Sequence, residues 1–541
     1  MMNLQGFPDD IFTLIIEHLV ASIGIFKAVR LRVVNRTFNS AILLAICTSQ
    51  VVDINDPATP FLYWWMPQSL KGKILLVKSR SQEAAKDKIL SVIASVNRAL
   101  DDLTQPNEER RIEQHQMIAE AAAAAPLDRN YVIMINERKQ EFDMKMEAQN
   151  ILSGAIIIGN LPLVMSLLTR DSPVLADVNT ESPYFGRPLQ LAAAWGHLQI
   201  VRYLLDCGAD PHDAEIGGNS NYWDPSGELR LWDRHVYQSS VGSALRAAVL
   251  GGHEEIVRLL LKPEYRLSPS NAEYLRAILA AARGGHIHLI HLLLQVTGKT
   301  LCELKELGEE MLWEAVRHNQ GDVVQMLLDN GVNVNAAPYP SCRIYGCALG
   351  IAASQGYERM VRLLLDRGAD VNLEVTPHGH PIEGAARGGH EEVVELLLEH
   401  GASPERAFVR AADGGQWRLI RRLLDKEVNF HAKKGIYGGT IGMEALQKAI
   451  IVKNPTVISM LVDAGVPLND SFPTPDGLPM VLAKTCAAEW IVDLLLSLGA
   501  EDREIDLHYR SNNYSEDRYD QQMERGGVRI TKRTWEWVGK Y

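Results

Sequence analysis

An all-α solenoid of about ten stacked helix pairs is the fold class this sequence predicts, and three observations carry it. Residues 191–210 read LAAAWGHLQIVRYLLDCGAD, and most of that stretch returns at 352–371 as AASQGYERMVRLLLDRGADV. Aligned on the residue in the place of His197, one column recurs at Asn160, His197, His253, His286, Gln320, Tyr357, His390, Gln416, Asn454 and Ala488. The spacings are 37, 56, 33, 34, 37, 33, 26, 38 and 34 residues, and such a sustained period marks a repeat array. At 541 residues the chain is also too long for one ordinary core.

Each copy holds two short amphipathic segments. In the second, helix one is expected at Pro188–Trp195, where small Ala192 and Ala193 admit a close neighbour. Gly196 ends it. Helix two follows over Leu198–Cys207, with Ile200, Val201, Leu204 and Leu205 on one face. Gly208 stops it as a C′ glycine. Neither helix buries its stripe alone, so neighbouring copies must supply the core.

Two spacings depart from the period. The 56-residue gap admits an acidic insertion carrying Trp223 and Trp232. The 26-residue gap before the eighth copy leaves no room for a connecting hairpin finger.

The pattern x-P-L-x-L-A-A-x-x-G-H-x-x-I-V-x-x-L-L-x-x-G-A-D resembles the ankyrin repeat over about 350 residues. The match is tightest in copies two, six and seven, and the outermost copies are degenerate, as caps meeting water should be. The resemblance implies short hairpin fingers between helix pairs, and imidazoles in the His column that bond the backbone. It also implies a concave protein-binding face lined by the two positions before Gly-His and by the finger tips. Those helix positions include Trp195, Arg283, Arg317, His318, Ser354, Gln355 and Arg387; the fingers add Tyr184, Phe185, Tyr339, Tyr345 and Tyr437. Trp and Arg dominate binding hot spots. Arg283, Arg317 and Arg387 share one column and predict a basic strip, and Trp195 reads as an exposed ring.

Residues 7–46 resemble the F-box, the helical module that docks on the Skp-type adaptor of cullin–RING ubiquitin ligases. Phe7-Pro8, the stripe Ile11, Leu14, Ile15 and Leu19, and the run Leu31 to Arg36 with Val34 carry the resemblance. Phe38 stands where the module usually has Trp, and a plain helical cap is the alternative. Segments 82–103, 107–125 and 128–148 read as helices that either lead into the array or form a separate layer. The expected domains are 1–50 (F-box-like), 51–149 (helical connecting region), 150–500 (solenoid), 501–526 (charged spacer) and 527–541 (Trp-containing segment). The last reads as a strand or cap docked on the array, or as a tethered peptide; it resembles the closing segment of fungal ankyrin-array proteins.

Formal charge is −12, and residues 151–499 hold 30 Lys+Arg against 40 Asp+Glu, which argues against direct nucleic-acid binding. The six cysteines show no zinc spacing. GIYGGTIG at 435–442 lacks the Gly-Lys-Ser/Thr of a phosphate loop, and His-Glu-Glu at 253–255 and 390–392 lacks a second His. No catalytic residue, metal or cofactor is expected. The chain opens with no cleavable apolar leader and has no run of 18 apolar residues. A cytoplasmic or nuclear location with no membrane contact is expected. The sequence thus reads as a non-enzymatic adaptor, either a ubiquitin-ligase substrate receptor or a transcriptional co-regulator, for example of a fungal secondary-metabolite pathway.

Overall fold

The computed structural model describes residues 12, 14–20, 41–42, 45–46, 68–81, 84, 87–124, 144–169, 176–212, 242–301, 303–336, 347–373, 380–434, 439–470, 479–485 and 489–501. The chain divides into two compact units, 1–299 and 300–541. Each is described by itself.

In the first unit, α1 (Gln68–Ser79), α2 (Lys88–Thr104) and α3 (Glu108–Ala124) precede α4 (Met144–Ile157). Asp87 fixes the start of α2 by accepting from the Leu90 N–H at 3.0 Å, so that helix begins later than residue 82. Ile89, Leu90, Ile93, Val96 and Leu100 form its buried stripe. They press on α4 so closely that a Cβ at Gly154 would lie 2.6 Å from Val96 and 3.0 Å from Leu100. The connecting helices therefore form a layer seated directly on the first helix pair. The sequence reading missed α1, whose Lys-Gly-Lys start breaks the apolar period. Gly72 lets it approach α3, since a Cβ there would overlap Glu120. Of the segment expected at 128–148, residues 128–143 lie outside the described residues. The expected boundary at 149/150 falls inside α4.

Four helix pairs complete this unit: α4 with α5 (Leu161–Leu168), α6 (Pro188–Ala194) with α7 (Leu198–Asp206), α8 (Ala244–Leu250) with α9 (Glu254–Leu260), and α10 (Ala272–Gly284) with α11 (Ile287–Thr297). First helices pack in series, α4 on α6, α6 on α8 and α8 on α10. Fully buried Ala192, Ala193, Ala248, Ala281 and Ala282 keep those contacts close. Tyr274, the largest fully buried side chain among the described residues, donates its hydroxyl to the Leu293 carbonyl oxygen at 2.9 Å.

The second unit repeats the scheme with α12 (Lys305–Arg317) and α13 (Gly321–Asp329), α14 (Ala348–Gln355) and α15 (Glu358–Asp366), and α16 (Pro381–Gly388) and α17 (Glu391–Glu399). It continues with α18 (Pro404–Asp413) and α19 (Trp417–Asp425), α20 (Ile441–Ile451) and α21 (Pro455–Asp463), and α22 (Pro479–Thr485) and α23 (Glu489–Ser497). Among the described residues, ten helix pairs thus follow from Met144 onward. Only residues 400–403 join α17 to α18, so the eighth copy has no finger. The finger before α20 carries a two-stranded hairpin, β1 (Lys433–Lys434) against β2 (Gly439–Thr440), and Thr440 caps α20 by accepting from Met443 N at 3.2 Å.

At the N-terminus, residues 14–20 are helical, and Phe12, Ile16 and Val20 are buried. The buried stripe is therefore rotated from the expected one. Leu14 is 54% exposed, and Ile15 and Leu19 are half-buried. Pro8, Ile11, Leu31, Val34 and Phe38 lie outside the described residues, as does the segment from 502 onward. No described helix is long and apolar enough to cross a membrane.

Candidate protein-binding surface

The surface is built on one repeated corner. In the nine described corners the first helix ends, a residue with positive φ turns the chain, and the second helix begins two residues later, after the column residue. Gly196 turns the second pair at φ 76° and Gly356 the sixth at φ 73°. The column residue then reaches back to the previous pair. In the first unit His197, His253 and His286 donate from Nε2 to the carbonyl oxygens of Ile157, Ala194 and Leu250 at 3.1, 3.0 and 3.3 Å. In the second, His390 donates to Ser354 O, Gln416 Nε2 to Arg387 O and Asn454 Nδ2 to Gly415 O, each at 3.1 Å. A carbonyl only accepts, so each imidazole carries its proton on Nε2. These bonds satisfy helix-end carbonyls left over by the intrahelical ladder.

A second ladder was not read from the sequence. Asn179 donates from Nδ2 to Gly208 O at 3.0 Å and accepts from Asp210 N at 2.9 Å. Asn335 makes the same two bonds to Gly368 and Asp370 at 3.1 and 2.8 Å, and Asn469 to Gly499 and Glu501 at 3.3 and 2.8 Å. Asn372 donates to Gly401 O at 3.1 Å. The signal was the Asn before these four fingers, some thirty residues ahead of the turn each ties down.

These ladders hold the expected binding positions at the ends of the first helices. Trp195 is the C-cap of α6, donating its N–H to Leu191 O at 3.0 Å; its side chain is half-buried, not the exposed ring expected. Arg283 is half-buried in the last turn of α10. The Arg317 guanidinium lies 5.3 Å from the centroid of the Trp313 ring. His318 caps α12, with Nδ1 3.0 Å from the Glu314 carbonyl oxygen and 3.5 Å from its carboxylate. Ser354 bonds within its own helix, to Ile351 O at 2.9 Å, and Gln355 is exposed.

Arg387 is not part of a bare basic strip. Its Nε lies 3.4 Å from Asp413, which also faces Arg410 at 3.6 Å. Buried Glu383 in turn takes Arg406 at 3.0 Å and Arg410 at 2.9 Å. Burial holds the Arg387 guanidinium below its ordinary value; Asp413 opposes that and Arg410 adds to it. These charges join neighbouring first helices. The Arg387 partner, Asp413, and the Glu383 partners, Arg406 and Arg410, come from the next copy, which a column of like residues conceals.

In the first unit Glu273 plays the same part. It accepts from Ser243 N at 2.9 Å and pairs with Arg276 at 2.9 Å and Arg246 at 3.6 Å. Burial alone would raise its carboxyl, but Arg246, the Ser243 N–H and Arg276 together hold it below the usual range. The finger residues divide as well. Phe185 is buried and belongs to the core, while Tyr184 is half-buried. Trp223, Trp232, Tyr339, Tyr345 and Tyr437 lie outside the described residues.

Among the described residues no three His, Cys, Asp or Glu side chains are grouped to hold a metal ion. The dent between Asn179, Arg187, Gln190 and Asp210 has a volume of about 10 Å³, room for about one water.

The family model for ankyrin repeats, three copies long, matches residues 245–337 and 342–407, and the single-repeat model matches 187–215. The ankyrin repeat and KH domain-containing protein mask-1 of Caenorhabditis elegans is 27% identical over 326 residues, 58% of this chain and 11% of that protein. The B-cell lymphoma 3 protein homolog of Mus musculus is 26% identical over 228 residues, 42% of this chain and 46% of that protein. The ankyrin repeat domain-containing protein SAT10 of Stachybotrys chartarum is 28% identical over 229 residues, 37% of this chain and 11% of that protein. The chain spans less than half the length of each of these relatives. With their corner ladder and these matches, residues 187–407 of the chain hold ankyrin repeats.

Proposed function

We propose that this ankyrin-repeat protein is a non-catalytic adaptor that holds a protein partner on the ends of its first helices. One observation carries the reading: the corner conformation recurs while the residues beside it do not. The His, Gln or Asn of six corners is spent on the ladder, whereas the residues beside the corners run through Trp195, Arg317, His318, Gln355 and Arg387. Fixed corners with variable neighbours make a surface that can be specific without altering the scaffold. All ten helix pairs belong to the repeat array in this proposal.

The N-terminal module is proposed to dock on a Skp-type adaptor, making the protein a substrate receptor of a cullin–RING ligase. Leu14 supports this, being 54% exposed on a helix whose other face buries Phe12, Ile16 and Val20. The test is affinity purification of the full chain and of its Ile11→Glu/Leu14→Glu variant. Loss of adaptor and cullin from the variant alone, with its melting unchanged, is the expected result. If neither protein is captured and both forms retain a transcription factor, the module is a cap and the chain is a transcriptional co-regulator.

A further inference from the structure

The second helix of the eighth pair carries a surface that the adaptor reading does not use. Trp417, the first residue of α19, is 39% exposed. Two guanidiniums attend its ring, Arg418 at 5.4 Å and Arg421 at 5.7 Å from the centroid. Both arginines are exposed, and among the described residues neither forms an ion pair. Arg422 on the same helix, by contrast, is held by Glu391 at 2.9 Å and Glu395 at 3.4 Å of α17.

The next corner adds to this patch. Asn454 bonds Gly415 O, which brings Val452 and Lys453 to the edge from which Trp417 starts. Val452 is 40% exposed, and Lys453 takes φ 57° where most copies place glycine. A side chain in that conformation costs about 1 kcal/mol, so the lysine sits there against a local preference. Two exposed apolar groups and three cations thus share one edge of an otherwise acidic chain.

We propose that Trp417, Val452, Arg418, Arg421 and Lys453 form a docking site for an acidic peptide segment of a partner protein. An apolar side chain of the peptide covers the indole, and flanking carboxylates meet the two guanidiniums and the ammonium. Charge complementarity commits the site to this occupant. Three cations are too few for the phosphate contacts that a nucleic acid needs. The neighbouring α17 also exposes Glu392 and Glu399, which add to the repulsion of a long polyanion. The site takes Val452 from one first-helix end, but Trp417, Arg418 and Arg421 stand on a second helix, and it does not depend on the ligase reading.

The test uses the full chain on arrayed peptides of graded glutamate content around a central alanine, leucine or tryptophan. Matching lysine peptides and a short single-stranded oligonucleotide serve as counter-probes. Binding should rise with glutamate content and with anchor size. It should weaken about tenfold in Trp417→Ala and in Arg418→Glu/Arg421→Glu, both with unchanged melting. The double variant should gain affinity for the lysine peptides. Indifference to peptide charge, equal binding by the arginine variant, or preferential binding of the oligonucleotide would each overturn the proposal.

Discussion

The imidazole of His390 lies against Gly356 so closely that a Cβ there would overlap the ring, while its Nε2 donates to the Ser354 carbonyl oxygen at 3.1 Å. Bare backbone on one side and a leftover carbonyl on the other fix where one copy sits on the last. His390→Ala should cost about 1–2 kcal/mol, and His390→Gln should recover part of it, because Gln416 makes the same bond in the next copy. Gly356→Ala should cost more, since it adds strain at φ 73° to the overlap. Urea titration of the three variants orders them.

Acid should loosen the contact between the third and fourth pairs. The Glu273 carboxyl is held below its ordinary value, so its stabilisation is fully present above the unfolded value of about 4.3 and is lost as pH falls through the folded one. At neutral pH Glu273→Gln should destabilise by about 2 kcal/mol, by leaving Arg246 and Arg276 without their carboxylate. Melting curves of both proteins should converge as pH falls through the folded value of this carboxyl. A gap that stays constant through that range would rule the linkage out.

Tyr274→Phe keeps the ring and removes only the bond to Leu293 O. It should lower stability by about 1 kcal/mol with unchanged circular dichroism.

The binding positions should separate by their pairing. Gln355 is exposed, so Gln355→Ala should leave melting unchanged and act on partner affinity alone. Arg387→Ala should reduce both, at a cost of about 1 kcal/mol, because Asp413 keeps only the more distant Arg410. Melting paired with binding of a captured partner distinguishes the two.

The sequence by itself determined the helix pairs and their corners. The column from Asn160 to Asn454 stands one residue before each second helix, because apolar spacing and turn glycines act over a few residues of chain. The 26-residue gap likewise settled that the eighth copy has no finger. Contacts between copies were decided only by tertiary structure. Trp195 and Arg387 looked alike in a repeat column, yet the first is half-buried and the second is matched by Asp413, 26 residues further on. Phe185 went to the core and Trp417 to the surface for the same reason. Burial and charge pairing are properties of what lies opposite a side chain, and in a stacked array that neighbour comes from the next copy.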